Sequence, residues 1–193
     1  MPVLRWQSLS NLRPPSYTCG HCGKLVGPNV GYYPHEANVS SSYARIYICT
    51  FCTEPTYFYG DKQTPGARYG DNVDHLPIEV AALYNEARDA LSVSAYTASV
   101  LACRKILMNV AVAQGAEQSK SFMHYVEYLS DKGYVPPDGK GWVDHIRKKG
   151  NEATHEIQMM SQADAQELVA FTEMLLKFVY EFPARVPQAP ASS

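Results

Sequence analysis

The sequence has no hydrophobic run long enough to span a membrane and no marked excess of charge of either sign. Its apolar stretches all fall short of the roughly 18 consecutive residues that a membrane-spanning helix needs, and no apolar signal segment opens the chain. Lysine and arginine total 17 against 19 aspartate and glutamate residues, so no overall field attracts nucleic acid or an anionic membrane. We therefore expect a soluble cytoplasmic protein with no membrane partner, whose binding to any charged partner is local.

Cysteine is also scarce, with only five among the 193 residues. Four of the five fall in two Cys-x-x-Cys pairs, Cys19 with Cys22 and Cys49 with Cys52, separated by 26 residues. That separation leaves room for a strand, a turn and a returning strand. Zn²⁺ binds four thiolates tetrahedrally, and this spacing turns both sulfurs of a pair toward one ion. The pattern predicts a zinc ribbon with a structural Zn²⁺ on these four cysteines.

A redox dithiol and two disulfides are the alternatives to zinc. A redox pair usually lies where a strand leads into a helix, whereas glycine, proline and tyrosine surround these pairs. Disulfides suit exported proteins, and no signal segment is present. A closed shell of four thiolates leaves no water to activate, so the zinc is structural. We expect His21 and His35 on the surface and Cys103 as a small buried hydrophobe.

The periodicity changes along the chain from strands to helices, which predicts an α+β protein. Strand-like runs rich in Val, Ile and Tyr surround the cysteine pairs, and helical spacing follows them. The predicted organisation is an irregular N-terminal arm (1–16), a zinc ribbon (17–60), a linker (61–75), a helical bundle (76–182) and a disordered tail (183–193).

The bundle is predicted to contain about five helices. They start near Pro77, Ala95, Ser119 or Ser121, Trp142 and Ser161, where helix-capping residues or a first-turn proline precede apolar residues at helical spacing. Short loops join them, as is typical of a bundle. No internal repeat is visible in the sequence.

The predicted fourth helix carries a row of polar residues. Arg147, Asn151 and His155 are spaced by four and would stack along one side of it. A guanidinium binds phosphate oxygens, and an imidazole exchanges protons near neutral pH. The alternative is an ordinary solvated helix face, and Gly150 within the row favours either a close backbone approach or a break in the helix.

Three stretches together resemble a known family. They are Cys19-Gly-His-Cys-Gly-Lys24, Ala102-Cys-Arg-Lys-Ile-Leu107 and, most specifically, Ile146-Arg-Lys-Lys-Gly-Asn-Glu-Ala-Thr-His155. The chain is similar to domain of unknown function 4145, which is related to the HEPN helical domains. The resemblance implies a HEPN-like bundle of the kind found beside restriction and other anti-phage systems. It also implies a homodimer, because many HEPN proteins act as dimers.

The resemblance also implies roles for the polar row. HEPN ribonucleases are metal-independent dimers in which Arg147 would hold the scissile phosphate and His155 would move the proton of the ribose 2′-hydroxyl, with Asn151 orienting either group. The active pattern leaves four to six residues between arginine and histidine, whereas seven intervene here. The first hypothesis is therefore an interaction module that binds nucleic acid or a partner protein, and the second is an endoribonuclease.

Aromatic residues of the ribbon are candidates for contact with RNA or DNA. Bases would stack on tyrosines, and Lys24 and Arg45 would meet phosphates. The alternative is that the tyrosines form the core and the strand faces of the small domain, because strands favour tyrosine. The six candidates are Tyr32, Tyr33, Tyr43, Tyr47, Tyr57 and Tyr59.

Overall fold

The chain folds into two compact units, Met1–Arg68 and Tyr69–Ser193. The computed structural model describes residues 6–10, 16–34, 44–135, 142 and 159–186. Within these ranges the first unit consists of β-strands and the second of helices. The α+β fold class predicted from the sequence is therefore confirmed.

The first unit contains two antiparallel sheets. Five strands form one sheet in the order β1-β4-β5-β6-β7, and β2 and β3 form a separate hairpin. The strands are β1 (Trp6–Ser10), β2 (Tyr17–Thr18), β3 (Leu25–Val26), β4 (Val30–Pro34), β5 (Ala44–Ile48), β6 (Pro55–Tyr59) and β7 (Lys62–Thr64). Residues opposite each other in such ladders share a face.

The two faces of the larger sheet differ in burial. Tyr47 and Phe58 lie on one face and pack with Tyr17 and Val26 of the small hairpin in the core of this unit. Tyr17 and Phe58 meet edge to face, with their ring centroids 4.9 Å apart. Aromatic pairs favour this arrangement. On the opposite face Tyr32 and Tyr59 are exposed, whereas Ala44 is buried.

Two strands occupy segments for which the sequence predicted none. β1 lies within the predicted irregular arm and pairs along its whole length with β4. β7 lies within the predicted linker and pairs with β6 through a two-residue turn at Gly60-Asp61, where Gly60 has φ 59°. A positive φ suits such hairpin turns. Both strands lie at the edges of the sheet. An edge strand can form by backbone pairing without the alternating apolar pattern from which a strand is predicted.

The second unit contains four long helices among its described residues. They are α1 (Ile78–Ser92), α2 (Tyr96–Ala113), α3 (Phe122–Asp131) and α4 (Gln162–Leu176), which continues through a π-helical turn (Lys177–Glu181) into the short α5 (Phe182–Arg185). Of the two caps predicted for the third helix, Ser121 rather than Ser119 accepts a bond from the His124 amide, and the predicted cap Ser161 forms a capping box with Asp164. The last helix ends at Arg185, so 183–185 do not belong to a disordered tail.

The predicted fourth helix lies almost entirely outside the described residues. Only Trp142 is described, and its ring packs edge to face against Phe171 with centroids 5.0 Å apart. Residues 143–158 are not described. The predictions for Arg147, Asn151 and His155 therefore lie outside the described residues, as does His35.

The core of the second unit forms around α2. Seven residues of this helix are buried, including Cys103, Leu107 and Val110, and burial raises the pKa of the Cys103 thiol to about 12. Cys103 is thus the buried residue that the sequence predicted. Among the described helices, α2 alone is long and apolar enough to cross a membrane by length and composition. Core helices of globular proteins pass the same test.

The segment that leads into α1 is held by hydrogen bonds to helices of its own unit. Arg88 is buried, and its guanidinium donates to the carbonyls of Tyr69 and Gly70 and to the side chain of Asn72. Glu173 accepts a bond of 2.9 Å from the Asp71 amide. These contacts pair the Asp71 amide and the Tyr69 and Gly70 carbonyls in a segment that is neither strand nor helix.

Candidate metal centre

The structure brings the four predicted cysteine ligands together. Their sulfur atoms all lie within 4.8 Å of one another. Cys19 Sγ is 3.8 Å from Cys52 Sγ, and Cys22 Sγ is 3.8 Å from Cys49 Sγ. A tetrahedral ion with metal–sulfur bonds of about 2.3 Å would hold its sulfurs about 3.8 Å apart. The four thiols therefore fit a tetrahedral metal ion.

The same distances exclude the two disulfides considered from the sequence. All five cysteines are free thiols. A disulfide bond would hold its sulfurs about 2.05 Å apart, and the shortest cross-pair separations here are much longer. Each short contact also joins a cysteine of one pair to a cysteine of the other. The cluster is thus a four-thiol site rather than two independent dithiols.

Each cysteine pair lies in a turn between two strands, and we call these turns the first knuckle (19–24) and the second knuckle (49–54). In the first knuckle the Cys19 amide donates to the Lys24 carbonyl and the Gly23 amide to the Cys19 carbonyl. The second knuckle repeats both bonds, from the Cys49 amide to Glu54 and from the Thr53 amide to Cys49. Such closed turns point both sulfurs of a pair to one side.

The knuckles are two copies of one local structure, which the sequence analysis did not detect. The pair Tyr17↔Val26 in the first hairpin corresponds to Tyr47↔Thr56 in the second, an offset of 30 residues throughout. Besides the cysteines, the shared residue is a tyrosine two positions before the first cysteine of each pair, Tyr17 and Tyr47, and this was the one available signal. The other matched positions differ in residue type, so no repeat is visible in the sequence.

The thiols cannot all carry charge in the absence of a cation. Burial raises the pKa of Cys19 and raises the pKa of Cys52 to about 12. At Cys49 burial acts in the same direction, but the amides of Cys52 and Phe51 outweigh it and lower the pKa to about 7. Four thiolates at these distances repel one another, and a bound cation removes that cost.

Neither histidine candidate is needed as a ligand. The His21 ring donates from Nε2 to the carbonyl of Pro55, at 3.1 Å, which ties the first knuckle to the strand after the second. A second contact across the knuckles places Lys24 Nζ 3.7 Å from the centroid of the Phe51 ring. A cation over an aromatic face is attracted to it. These residues support the site without completing its shell.

The first knuckle is also supported by the residues that follow β7, a contact that the sequence did not indicate. A Cβ atom on Gly20 would lie 2.4 Å from the Gly66 carbonyl oxygen and 2.5 Å from that of Pro65. The Gln63 amide nitrogen donates to the carbonyls of Thr18 and Pro65, at 2.8 and 2.9 Å. Gly20 is therefore required by this close packing.

The residues predicted to contact nucleic acid lie on both faces of the larger sheet. Tyr47 is 1% exposed and belongs to the core, so the alternative to base stacking is confirmed for this tyrosine. Arg45 shares a face with Phe58, its partner across the ladder. Tyr32, Tyr57 and Tyr59 belong to the opposite face. Tyr43 is not among the described residues.

Comparison with known proteins gives one match. A family model described as a domain of unknown function (DUF4145) matches residues 85–191. Neither the curated proteins nor the solved structures yield a match to this chain. The matched range includes most of the helical unit, and the metal centre lies before it.

Proposed function

This chain belongs to the DUF4145 family, whose model matches more than half of its length, and from that premise we propose that it is a zinc-stabilised interaction module that binds nucleic acid. The observation that carries the zinc assignment is the pair of 3.8 Å contacts between sulfurs of opposite knuckles. Four thiolates in a tetrahedron are the usual ligands of structural zinc. A closed shell of this kind stabilises the fold and performs no chemistry.

Elemental analysis of the purified full chain tests the zinc assignment. We expect one zinc per chain, and we expect Cys52→Ser to lose it because one of four ligands is removed. Cys103→Ser is the matched control, since Cys103 lies in the other unit and should leave the zinc content unchanged. A folded chain without metal, or a disulfide between the knuckles, would overturn the assignment.

The distribution of charge supports nucleic acid as the partner. Residues 1–68 contain six lysines and arginines against three acidic residues, a net charge of +3. The remaining residues contain 11 against 16, a net charge of −5, and together these give the −2 of the whole chain. A locally basic unit attracts phosphates even where the net charge of the protein is negative. A partner protein is the competing outcome.

Fluorescence anisotropy with labelled RNA and DNA tests this function. We expect binding that weakens as salt rises, because phosphate contacts release counterions. The matched control is the Cys52→Ser chain, which should bind more weakly if the metal-stabilised unit is the binding unit. An intact, zinc-loaded chain that binds no nucleic acid at low salt would contradict the proposal and leave a protein partner as the remaining interpretation.

For the helical unit we propose a HEPN-like homodimer that acts in a phage-defence or restriction setting in the cytoplasm. The support is the resemblance of Ile146–His155 to the family string, which lies within the matched range 85–191. Light scattering of the full chain tests the dimer and should give about twice the 21.5 kDa chain mass. A monomer at all working concentrations would exclude it.

An endoribonuclease is the second candidate, and the same string supports it. Arg147 and His155 would then act on the phosphate and the 2′-hydroxyl across a dimer cleft. The test is cleavage of labelled RNA in the presence of a chelator by the full chain and by His155→Ala. His124→Ala, at an exposed position of α3, is the control. Cleavage lost only in His155→Ala favours the enzyme, whereas an intact dimer that cleaves no RNA excludes it.

A further inference from the structure

The larger sheet of the first unit has an aromatic face opposite its core. Tyr32 lies across from Ile46, and Ile46 lies across from Tyr57, so the three share one face in one row. Tyr59 and Lys62 form the adjacent row on the same face. We call these five residues the tyrosine face. Tyr32 is 40% exposed and Tyr59 is 52% exposed.

We propose that the tyrosine face binds single-stranded nucleic acid by stacking bases on Tyr32, Tyr57 and Tyr59. The inference rests on the proposed nucleic-acid function and adds the surface and the class of ligand. Aromatic side chains on an open sheet offer π-faces to bases of any sequence. The binding is therefore expected to tolerate changes of base sequence.

The spacing of the tyrosines favours a single strand over a duplex. Tyr57 and Tyr59 are two residues apart on β6, about 7 Å along the strand, and Tyr32 lies two strands away from Tyr57, about 10 Å across the sheet. Stacked nucleotides rise by only about 3.4 Å, so bases on this face must be separated from one another. A duplex keeps its bases stacked and paired, and hides the faces that tyrosines need.

The charge of the sheet matches a polyanion. Strands β4, β5, β6 and β7 contain no acidic residue, and the charged residue that they place on the tyrosine face is Lys62, whereas Arg45 lies on the opposite face. Lys62 is exposed and lies beside Tyr59 on the tyrosine face. An ammonium at the edge of a row of aromatics can meet the backbone phosphate while the base stacks. The acidic residues nearest in sequence, Glu54 and Asp61, lie in the turns that join the strands.

The test measures the affinity of the zinc-loaded full chain for labelled oligouridine and oligothymidine. We expect Tyr32→Ala and Tyr59→Ala each to weaken binding about tenfold, whereas Tyr32→Phe and Tyr59→Phe keep the ring and bind as the unaltered chain does. Tyr69→Ala is the matched control, because Tyr69 is 37% exposed but belongs to the other unit. It should bind normally. Zinc content and circular dichroism verify that each variant is folded.

Two further measurements separate stacking from simple charge attraction. Labelled duplexes of the same length should bind at least tenfold more weakly than the single strands. Lys62→Ala should make the slope of log affinity against log salt shallower by about 0.7, the value for one phosphate contact on a single strand.

The outcomes distinguish this inference from the function on which it rests. Single-strand binding that survives both tyrosine-to-alanine changes in folded, zinc-loaded protein overturns the tyrosine face and leaves nucleic-acid binding intact. Equal loss in the alanine and phenylalanine variants overturns stacking. Preference for duplex overturns the ligand class. No nucleic-acid binding by the unaltered chain contradicts the proposed function itself.

Discussion

At the scale of single residues, Gly23 and Thr53 show how one backbone requirement is met by two different amino acids. Both follow the second cysteine of a knuckle, and both have left-handed backbone, with φ 71° and 62°. Glycine adopts this conformation without a Cβ penalty, whereas it is an outlier for a β-branched residue. The Thr53 hydroxyl donates to the Cys52 carbonyl at 2.6 Å, which offsets part of that strain.

We therefore predict opposite effects for changes at these matched positions. Gly23→Ala should lower the free energy of unfolding of the metal-bound first unit by about 1 kcal/mol, because alanine must then adopt a left-handed conformation. Thr53→Gly should raise the same free energy of unfolding by about 0.5 kcal/mol. Relief of the left-handed strain outweighs the lost hydroxyl bond and the greater freedom of the unfolded chain. Denaturant unfolding, monitored by hydrogen exchange of the amides within 17–64, measures both changes. Effects of the same sign at the two positions would contradict the prediction.

Gly20 gives a second prediction, based on close packing rather than on φ. A methyl group there would meet two backbone carbonyl oxygens at 2.4 and 2.5 Å, and backbone cannot move aside cheaply. Gly20→Ala should destabilise the first unit by about 2 kcal/mol, in the range of overpacked cores.

Gly27→Ala is the matched control for Gly20→Ala, because the nearest atom to a Cβ there is Ser16 Oγ at 4.0 Å. Gly27→Ala should change the free energy of unfolding, measured by denaturant titration, by no more than about 0.5 kcal/mol. Equal effects of the two changes would show that packing against Pro65 and Gly66 is not the cause.

The clustering of the four cysteines could be predicted from sequence, because the spacing of a Cys-x-x-Cys pair fixes the geometry of the turn. The contacts of Gly20 could not, because its neighbours Pro65 and Gly66 are 45 and 46 residues away in the chain. The sequence also left open whether Tyr47 stacks on bases or belongs to the core, for a related reason. Which face of a strand is buried depends on a partner strand, and the residue type tyrosine is common on both faces.

At the scale of elements, α4 and the π turn that follows it secure the segment before α1. The Glu173 carboxylate accepts bonds from the Asp71 amide and from Lys177, and Glu181 accepts a bond of 3.1 Å from the Asp74 amide. A Cβ on Gly70 would lie 2.8 Å from the Glu173 carboxylate. The segment thus lies against the helix with its amides paired to carboxylates.

Lys177 makes this arrangement sensitive to alkaline pH. The hydrogen bond to Glu173 raises the pKa of Lys177 above its ordinary value, and Asp71 adds to the effect. The folded state therefore holds this proton more tightly than the unfolded state does. The resulting stabilisation is fully present below the unfolded pKa of about 10.4 and is lost as the pH rises through the folded value.

We predict that Lys177→Met lowers the stability of the second unit at about pH 9 and has a much smaller effect near pH 12. The measurement is the free energy of unfolding of the unaltered and variant chains at several alkaline pH values. Comparing the two removes the contribution of Tyr84, whose pKa burial also raises. Lys120→Met is the control, because its pair with Glu117 is largely exposed and should contribute little at any pH.

Elements with strong side-chain patterns were predicted well, and elements without them were not. The starts of α3 and α4 follow from Ser121 and Ser161, whose capping bonds are local. β1 and β7 pair through their backbones with β4 and β6. Their sequences are short and contain too few alternating apolar residues to predict a strand. The π turn likewise has no recognised sequence signal.

At the scale of the whole molecule, the two units differ in what holds each of them together. The described residues of the helical unit include a core of 23 buried residues. Among the described residues of the first unit the core has six, of which Cys19 and Cys49 belong to the four-cysteine cluster. The order of a β unit followed by a helical unit could be predicted, since the periodicity changes between them. The relative sizes of the two cores depend on contacts distant in sequence and could not.

Metal removal should therefore unfold the first unit selectively. A domain of this size is close to the limit at which a hydrophobic core alone suffices, and structural zinc provides about 10 to 16 kcal/mol of apparent binding energy in small finger peptides. This binding energy is comparable to the whole free energy of unfolding of a small domain, about 5 to 15 kcal/mol. After treatment with a strong chelator, we expect amide protection within 17–64 to be lost while the helical circular dichroism signal of α1 to α4 persists.

Cys103 and added zinc provide the controls for this experiment. The Cys103→Ser chain should respond to the chelator as the unaltered chain does, because its substituted residue belongs to the core of the helical unit. Adding back zinc should restore protection in 17–64. Loss of the helical signal together with that of the strands would mean that the helical unit depends on the metal as well. Unchanged protection after complete metal removal would mean that the strands fold without it.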